Sequence, residues 1–323
     1  MALPLFLFLP SCNHPAFHKE SRALLGTVIT VEIAGATPAV LDGVFAEAAA
    51  LEKKFSVYLP ESEVSLLNRR AGSEAVAVSD EMWEILSRSR EVSRMTRGAF
   101  DITVGPLMRA WGFFPKREGR VPSPEEIAEA RARVGWEKVI LDPSARTVRF
   151  SQPGVEIDLG GVAPGYVVDR MIAVLRARGI KSAMVNAGGE IYCLGERPGG
   201  GKWRIGVEHP RREGDLLGVL ELEDRAVSTS GDYRNYFIRS QKRYSHIMDP
   251  RTGRPALTGV VESTAAAPDC LTADALATAL FVLGAEEGME VIREQPELGG
   301  IVVTQKGEEF SVTASPGLEI VKP

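Results

Sequence analysis

Cysteine, long apolar runs and blocks of basic residues are all scarce in this sequence, and each scarcity argues against a class of protein. The chain has only 3 cysteines, at positions 12, 193 and 270, with no C-x-x-C pair, so neither a zinc site nor a disulfide framework is predicted. No apolar run reaches the roughly 18 residues that a transmembrane helix needs. The net charge of -5 and the lack of Lys- or Arg-rich runs argue against a nucleic-acid partner.

The N-terminus is the one part of the chain that departs from an ordinary globular composition. Residues 1–9 are apolar, and Leu9-Pro10-Ser11-Cys12 resembles the cleavage site of a bacterial lipoprotein signal. Pro10 is unusual there and no Lys or Arg precedes the apolar segment, so a disordered or mis-started N-terminus is the alternative. We expect residues 1–20 to be a leader and tether, with residues 21–323 forming one domain. The protein would then be periplasmic or extracytoplasmic, held at the membrane only by a lipid on Cys12.

Residues 156–170 form the central segment of the predicted fold. The pattern predicts a short strand carrying Asp158, a glycine-rich turn, and an amphipathic helix running to about Arg178. The glycines allow a ligand to approach the backbone closely, and the N–H groups at the helix start favour an anion. The segment is neither a P-loop nor a Rossmann fingerprint. A tight strand-to-helix turn without a ligand is the alternative.

Hydrophobic periodicity predicts both helices and strands elsewhere in the chain. Helices are expected at 38–55, at 79–94 with Ser79 as N-cap, at 122–135, and at 269–284 with Gly284 as C-cap. Strands are expected at 23–33, 138–141, 147–150, 182–186, 203–208 and 218–222, and a helix and a β-hairpin at 289–321.

Three places combine residues that carry chemistry. The polar segment 56–68 offers either helix capping or ligand contacts. His246, one of only 4 histidines, lies in a polar, turn-rich region and is either structural or functional. Asp274 and Thr278 share one face of an apolar helix, where a buried Asp is costly unless it is paired with a distant Arg or binds a metal. Oxygen ligands favour Mg²⁺ over zinc.

Taken together, these segments resemble the ApbE family of flavin transferases (FAD:protein FMN transferases). The resemblance covers nearly the whole chain from about Leu24 and follows the family's order through residues 56–68, 100–113, 158–170, 185–189, 230–237, 246–253 and 274–284. It implies an α+β fold of the T-fold-like type, with mixed helices packed on antiparallel sheets. It also implies Mg²⁺-dependent cleavage of FAD, transfer of FMN to a Ser or Thr hydroxyl of an acceptor protein, and release of AMP.

The resemblance also implies roles for individual residues. Asp274, Thr278 and the backbone carbonyl of Ala163 match the family's metal-binding positions, and His246 matches the histidine essential for transfer. FAD-contacting positions map to Tyr58, Glu63, Asn68, Asp158, Gly161, Gly165, Ser230 and Asp232. Pro164 stands where the family usually has Lys, which removes one candidate phosphate contact. Milder departures are Ile102 for Pro, Glu190 for Asp and Met248 for Ile or Leu.

The implied chemistry needs a base for the acceptor hydroxyl, and His246 is the candidate by residue type, with Asp249 as the group that orients its other nitrogen. The expected partner is an acceptor protein with a Ser/Thr flavinylation motif, such as a subunit of a membrane redox complex. Two alternatives stay open. One is a Mg²⁺-dependent FAD pyrophosphatase that releases FMN and AMP, and the other is a flavin-binding lipoprotein without turnover.

Overall fold

The computed structural model describes residues 17–35, 38–115 and 119–322. Within these residues the helices are α1 (Pro38–Phe55), α2 (Glu63–Arg70), α3 (Asp80–Met95), α4 (Gly105–Ala110), α5 (Pro124–Arg131), α6 (Ala163–Ala177) and α7 (Cys270–Arg293). The strands are β1 (Phe17–Leu24), β2 (Thr27–Ala34), β3 (Val76–Ala77), β4 (Val139–Asp142), β5 (Thr147–Phe150), β6 (Ala183–Ala187), β7 (Ile191–Leu194), β8 (Trp203–Glu208), β9 (Leu216–Leu222), β10 (Arg225–Gly231), β11 (Tyr236–Arg239), β12 (Lys242–Ser245), β13 (Met248–Asp249), β14 (Arg254–Pro255), β15 (Val260–Ala267), β16 (Gly299–Lys306) and β17 (Glu309–Ala314).

An eight-stranded sheet in the order β1-β2-β6-β7-β10-β15-β16-β17 organises the fold, and every pairing in it is antiparallel. The helices α6 and α7 pack on the sheet, and α1 packs on α6. Every residue of β15 is buried, as expected for a strand covered on both faces. The predicted α+β class with antiparallel sheets is confirmed.

Local signals account for most helix boundaries. The Ser79 side chain accepts a hydrogen bond from the Met82 N–H at the start of α3, as predicted. Ser123 begins α5 in a complete capping box with Glu126, although α5 is shorter than the predicted 122–135. Gly284 interrupts α7 with φ 84° and ψ -178°, but a second helical stretch follows it directly to Arg293. The predicted C-cap is therefore a break within a longer helix.

Three other expectations need correction. The strand predicted at 23–33 is two strands, β1 and β2, joined by a turn in which Leu25 and Gly26 have φ of 56° and 71°. Residues 17–20, expected in the tether, belong to β1 and pair with residues 31–34. The acid-bearing strand before α6 is an irregular segment with a single bridge between Val104 and Glu156.

The described residues contain no helix long and apolar enough to cross a membrane. Cys12 lies outside them, so its predicted lipid stays a prediction. Cys193 and Cys270 are both buried and free, and they belong to different core clusters.

Candidate active site

Gly165 on α6 lies against the first turn of α7. A Cβ at Gly165 would stand 2.4 Å from the Cys270 carbonyl oxygen and 2.9 Å from Asp274 Cβ, so only glycine permits this approach. The Gly165 N–H donates to Asp274 Oδ2 at 3.1 Å. One turn further along α6, the Asp169 carboxylate accepts from the N–H groups of Cys270 (2.7 Å) and Leu271 (2.9 Å). These contacts fix the start of α7, and with it Asp274, against the start of α6.

The N–H groups at the start of α6 are all committed. The Ala163 N–H donates to the Leu159 carbonyl at 2.7 Å, Pro164 has no N–H, and the Gly165 N–H binds Asp274. These N–H groups therefore have partners within the protein, and the anion site predicted at this helix start stays a prediction. The Asp274 carboxyl occupies this position, where its ionised form would gain from the helix dipole.

Thr278 lies one turn after Asp274 on α7, and its side chain is close to Ser230 and Gly161. Its Oγ1 lies 3.4 Å from Ser230 Oγ on β10, and 3.5 Å from where a Cβ on Gly161 would be. The structure thus brings together five of the predicted site residues, which are Gly161, Gly165, Ser230, Asp274 and Thr278. Ala163 is buried between Gly161 and Gly165 in the chain.

The cluster holds several acids whose ionised forms are disfavoured by burial. Burial, followed by the negative charge of Glu190, raises the pKa of Asp274 well above its usual value. Burial likewise raises the pKa of Glu190 to about 7 and that of Asp169 to about 7. A bound cation would relieve this cost of burying acids.

The donors present fit a hard divalent cation rather than a soft one. No group of three or more His, Cys, Asp or Glu side chains is assembled for a metal within the described part of the chain. The fit therefore rests on one carboxylate, Asp274, together with the Thr278 hydroxyl and backbone oxygen. Such a sparse set suits Mg²⁺, which keeps several waters and shares phosphate oxygens of its substrate.

His246 is held by the backbone of Asn235. Its Nδ1 lies 3.1 Å from the Asn235 carbonyl oxygen, which also accepts from the His246 N–H at 3.0 Å. Because a carbonyl only accepts, Nδ1 carries the proton in the neutral ring, and Nε2 is left to take one up. Burial lowers the pKa of His246, which favours that neutral form. Asp249, expected to orient His246, instead binds Arg251, whose Nε donates to Asp249 Oδ1 at 3.0 Å.

Tyr58 contributes to an exposed aromatic surface. Its ring is 66% exposed and meets the ring of Phe114 edge-on, with 5.2 Å between centroids. The Arg109 guanidinium lies 4.6 Å from the centre of the Phe114 ring and also pairs with Glu156 at 2.5 Å. In contrast, Trp111 is 1% exposed and donates its indole N–H to the Gly253 carbonyl at 3.0 Å, so it belongs to the core.

Two other predicted site residues, Glu63 and Asn68, make hydrogen bonds to other parts of the protein. Glu63 accepts from the Ser79 N–H (2.5 Å) and hydroxyl (2.7 Å), joining α2 to the start of α3. Asn68 exchanges two hydrogen bonds of 2.8 Å with the Ile157 backbone, which positions the segment carrying Asp158. That contact makes Asn68 a support for the segment rather than a free ligand group.

The carboxylates of Asp158 and Asp232 also accept hydrogen bonds from other residues of the protein. Asp158 Oδ1 accepts from the Gly160 N–H at 2.8 Å, and burial raises the pKa of this carboxyl. Asp232 receives two hydrogen bonds from Arg211 (2.6 and 2.8 Å) and one from Arg243 (3.2 Å), which neutralise it.

The sequence-based assignment left out Asp169 and gave Glu190 only as a departure from the family pattern. Glu190 follows Gly188 and Gly189 directly, and a charged residue after a close-approach turn was the available signal. Asp169 gave no comparable signal, because its partners lie about 100 residues away in the chain.

Comparisons with known proteins show the family to which the chain belongs. The model of the ApbE family matches residues 25–302. A relative from Vibrio cholerae, named FAD:protein FMN transferase, is 35% identical and is aligned over 98% of this chain and 96% of its own length. A relative of the same name from Escherichia coli K12 is 34% identical over 82% of this chain and 76% of its own.

Solved structures agree with the sequence comparisons. The flavinyl transferase ApbE of Pseudomonas stutzeri, in its apo form, superposes with a TM-score of 0.85 at 33% identity, covering 94% of this chain and 95% of that one. The ApbE protein of Thermotoga maritima superposes with a TM-score of 0.84 at 33% identity, covering 93% and 97%.

Proposed function

The chain belongs to the ApbE family, and from that premise we propose that it transfers FMN from FAD to a Ser or Thr hydroxyl of an acceptor protein, with release of AMP. The observation that carries the proposal is the buried Asp274 carboxyl beside Thr278, because a hard cation at these oxygens would stabilise the ionised form that burial disfavours. Relatives that carry the name FAD:protein FMN transferase support it.

In the proposed reaction, the acceptor hydroxyl oxygen attacks the phosphorus of the FMN half of FAD. The bond from that phosphorus to the bridging oxygen breaks, and AMP leaves with the bridging oxygen. The new bond is a phosphoester between FMN and the acceptor. The hydroxyl proton passes to His246 Nε2, which is open because Nδ1 faces the Asn235 carbonyl.

Asp274, Thr278 and the Ala163 carbonyl would hold Mg²⁺, which supplies a Lewis acid for the phosphate oxygens. The protein positions these groups. Gly165 orients the Asp274 carboxylate by its N–H, and Asp169 holds the first turn of the helix that carries both side chains.

The test is incubation with FAD and Mg²⁺, with and without an acceptor protein that carries a Ser/Thr flavinylation motif, such as a redox-complex subunit. Transfer predicts AMP release and a fluorescent acceptor band that appear only with acceptor and disappear with EDTA. FMN and AMP released equally without acceptor would indicate a pyrophosphatase. Bound, uncleaved FAD in both samples would indicate a binding protein.

Two threonine variants sharpen the test. Thr278→Val removes the hydroxyl that faces Ser230 and should remove the response to Mg²⁺. Thr229→Val is the matched control, since Thr229 lies one residue before Ser230 and bonds Thr264 at 2.8 Å on the opposite face of β10. Equal losses in both variants would contradict the site.

We also propose that Cys12 is lipidated, which places the enzyme outside the cytoplasmic membrane near a membrane acceptor. One acyl chain binds weakly, so stable anchoring needs several. Mass spectrometry of the protein expressed with its complete native leader should show a lipid-modified N-terminal Cys12. An unmodified Cys12 in cytoplasmic protein would contradict this.

A further inference from the structure

The proposed substrate carries a negatively charged pyrophosphate, yet the site around Asp274 is acidic. Glu190 and Asp169 are two further acids close to Asp274. The start of α6 has no N–H group to offer, because Ala163 and Gly165 are bonded within the protein and Pro164 has none. A second source of positive charge is therefore needed to receive the phosphates.

Most arginines near the predicted site residues already have acidic partners. Arg211 and Arg243 both bind Asp232, at 2.6 and 3.2 Å, and so share one carboxylate. Arg109 is paired with Glu156 at 2.5 Å. Their hydrogen-bonding groups are at least partly committed.

Arg234 differs from these arginines. Its sole ion pair among the described residues is with Glu208 at 3.7 Å, beyond hydrogen-bond distance, and both side chains are about half exposed or more (49% and 63%). Its guanidinium makes no hydrogen bond to any residue that the structure describes. Its five N–H donors are thus available to a ligand.

The position of Arg234 is nevertheless defined. Its Nη2 lies 3.9 Å from where a Cβ on Gly189 would be, next to the turn that leads into Glu190. The guanidinium lies 5.8 Å from the centre of the Tyr233 ring, and the Tyr233 hydroxyl donates to the buried Glu262 at 2.6 Å, which holds the ring. Two residues after Gly189, the Ile191 carbonyl oxygen lies 3.8 Å from Cys270 Sγ in the first turn of α7, the helix that carries Asp274, so the turn beside Arg234 adjoins the candidate site.

We propose that Arg234 is a phosphate-binding residue of this site. Its planar guanidinium receives the pyrophosphate of the dinucleotide beside Gly189, which carries no side chain of its own. This inference rests on the proposed function for the identity of the ligand. What it adds is the residue that binds the phosphates, Arg234.

The test compares ADP, which has the pyrophosphate, with adenosine, which lacks it. Binding is measured by calorimetry at saturating Mg²⁺ for the wild type and for Arg234→Gln, Arg234→Lys and Arg239→Gln. The last is the matched control, an exposed arginine on the neighbouring strand β11. Removing a charge-assisted contact should weaken ADP binding by about 10- to 100-fold and leave adenosine unchanged. Arg234→Lys should recover part of the loss, since charge remains without the fork.

A second readout is the dependence on salt. ADP binding to the wild type should weaken with ionic strength more steeply than binding to Arg234→Gln. An unchanged ratio of ADP to adenosine affinity in Arg234→Gln, or a wild type that does not prefer ADP, would overturn the inference, even if FMN transfer is intact. Failure of the wild type to bind or cleave FAD would instead refute the proposed function.

Discussion

Replacing Gly165 with alanine would place a methyl group between the start of α6 and the first turn of α7. The new Cβ would stand 2.4 Å from the Cys270 carbonyl oxygen, 2.8 Å from the Cys270 carbonyl carbon and 2.9 Å from Asp274 Cβ. Two of these atoms are backbone, so no side-chain rotation relieves the contact. The helices must separate, and the Gly165 N–H moves away from Asp274.

Three effects set the magnitude. Overpacking costs about 1–3 kcal/mol, and losing a hydrogen bond to a carboxylate costs about 1.5–3 kcal/mol. Alanine offsets about 1 kcal/mol by its better helix propensity. We therefore expect the free energy of unfolding to fall by about 1.5–5 kcal/mol. The Mg²⁺ site should be displaced as well, because Asp274 loses the N–H that orients it.

The control is Gly43→Ala in α1, where a Cβ would meet only Arg178 Nη2 at 3.9 Å. That change should stabilise the protein by about 0.5–1 kcal/mol. The assay is urea unfolding of both variants with and without Mg²⁺, because a ligand of the folded state stabilises it by about 2.7 kcal/mol at a hundredfold excess over Kd. Gly165→Ala should lower the free energy of unfolding and should remove the additional stabilisation that Mg²⁺ gives to the folded state. A Gly165→Ala variant as stable and as Mg²⁺-responsive as the wild type would refute the helix contact as the basis of the site.

Four further outcomes are expected. Asp274→Asn should abolish Mg²⁺-dependent FAD cleavage without lowering stability in EDTA, because it removes a charge that burial and Glu190 disfavour; FAD cleavage at the wild-type rate would argue against this helix as the cation site. His246→Ala should reduce acceptor labelling by about 10²–10⁴-fold with little change in FAD affinity. Since burial lowers its pKa, wild-type transfer should rise with pH to a plateau with a midpoint below 6.5, and a midpoint above that value would contradict a buried neutral base. Glu63→Gln should cost about 1 kcal/mol of stability through its bonds to Ser79 but leave FAD affinity unchanged, as checked by urea unfolding and fluorescence titration; a selective loss of FAD affinity would restore Glu63 to the site.

Local patterns in the sequence were sufficient for most elements of the fold. The period of 3.6 residues and the serine cap identify α3. The resemblance to the ApbE family is confirmed over residues 25–302. The common face of Asp274 and Thr278 also follows from sequence, because helix geometry places residues four apart on one side. Each of these conclusions depends on residues that are near one another in the chain.

The partner of each site residue was decided only by tertiary structure. Asp274 meets the Gly165 N–H across 109 residues, and Asn68 meets Ile157 across 89. Periodicity carries no information on such pairs, so the bonds that join Glu63 to Ser79 and Asn68 to Ile157 are visible only in the structure. Residue type predicted that Asp274 needed a partner, because a buried charge must be compensated. The packing of α6 against α7 determined which group that partner is.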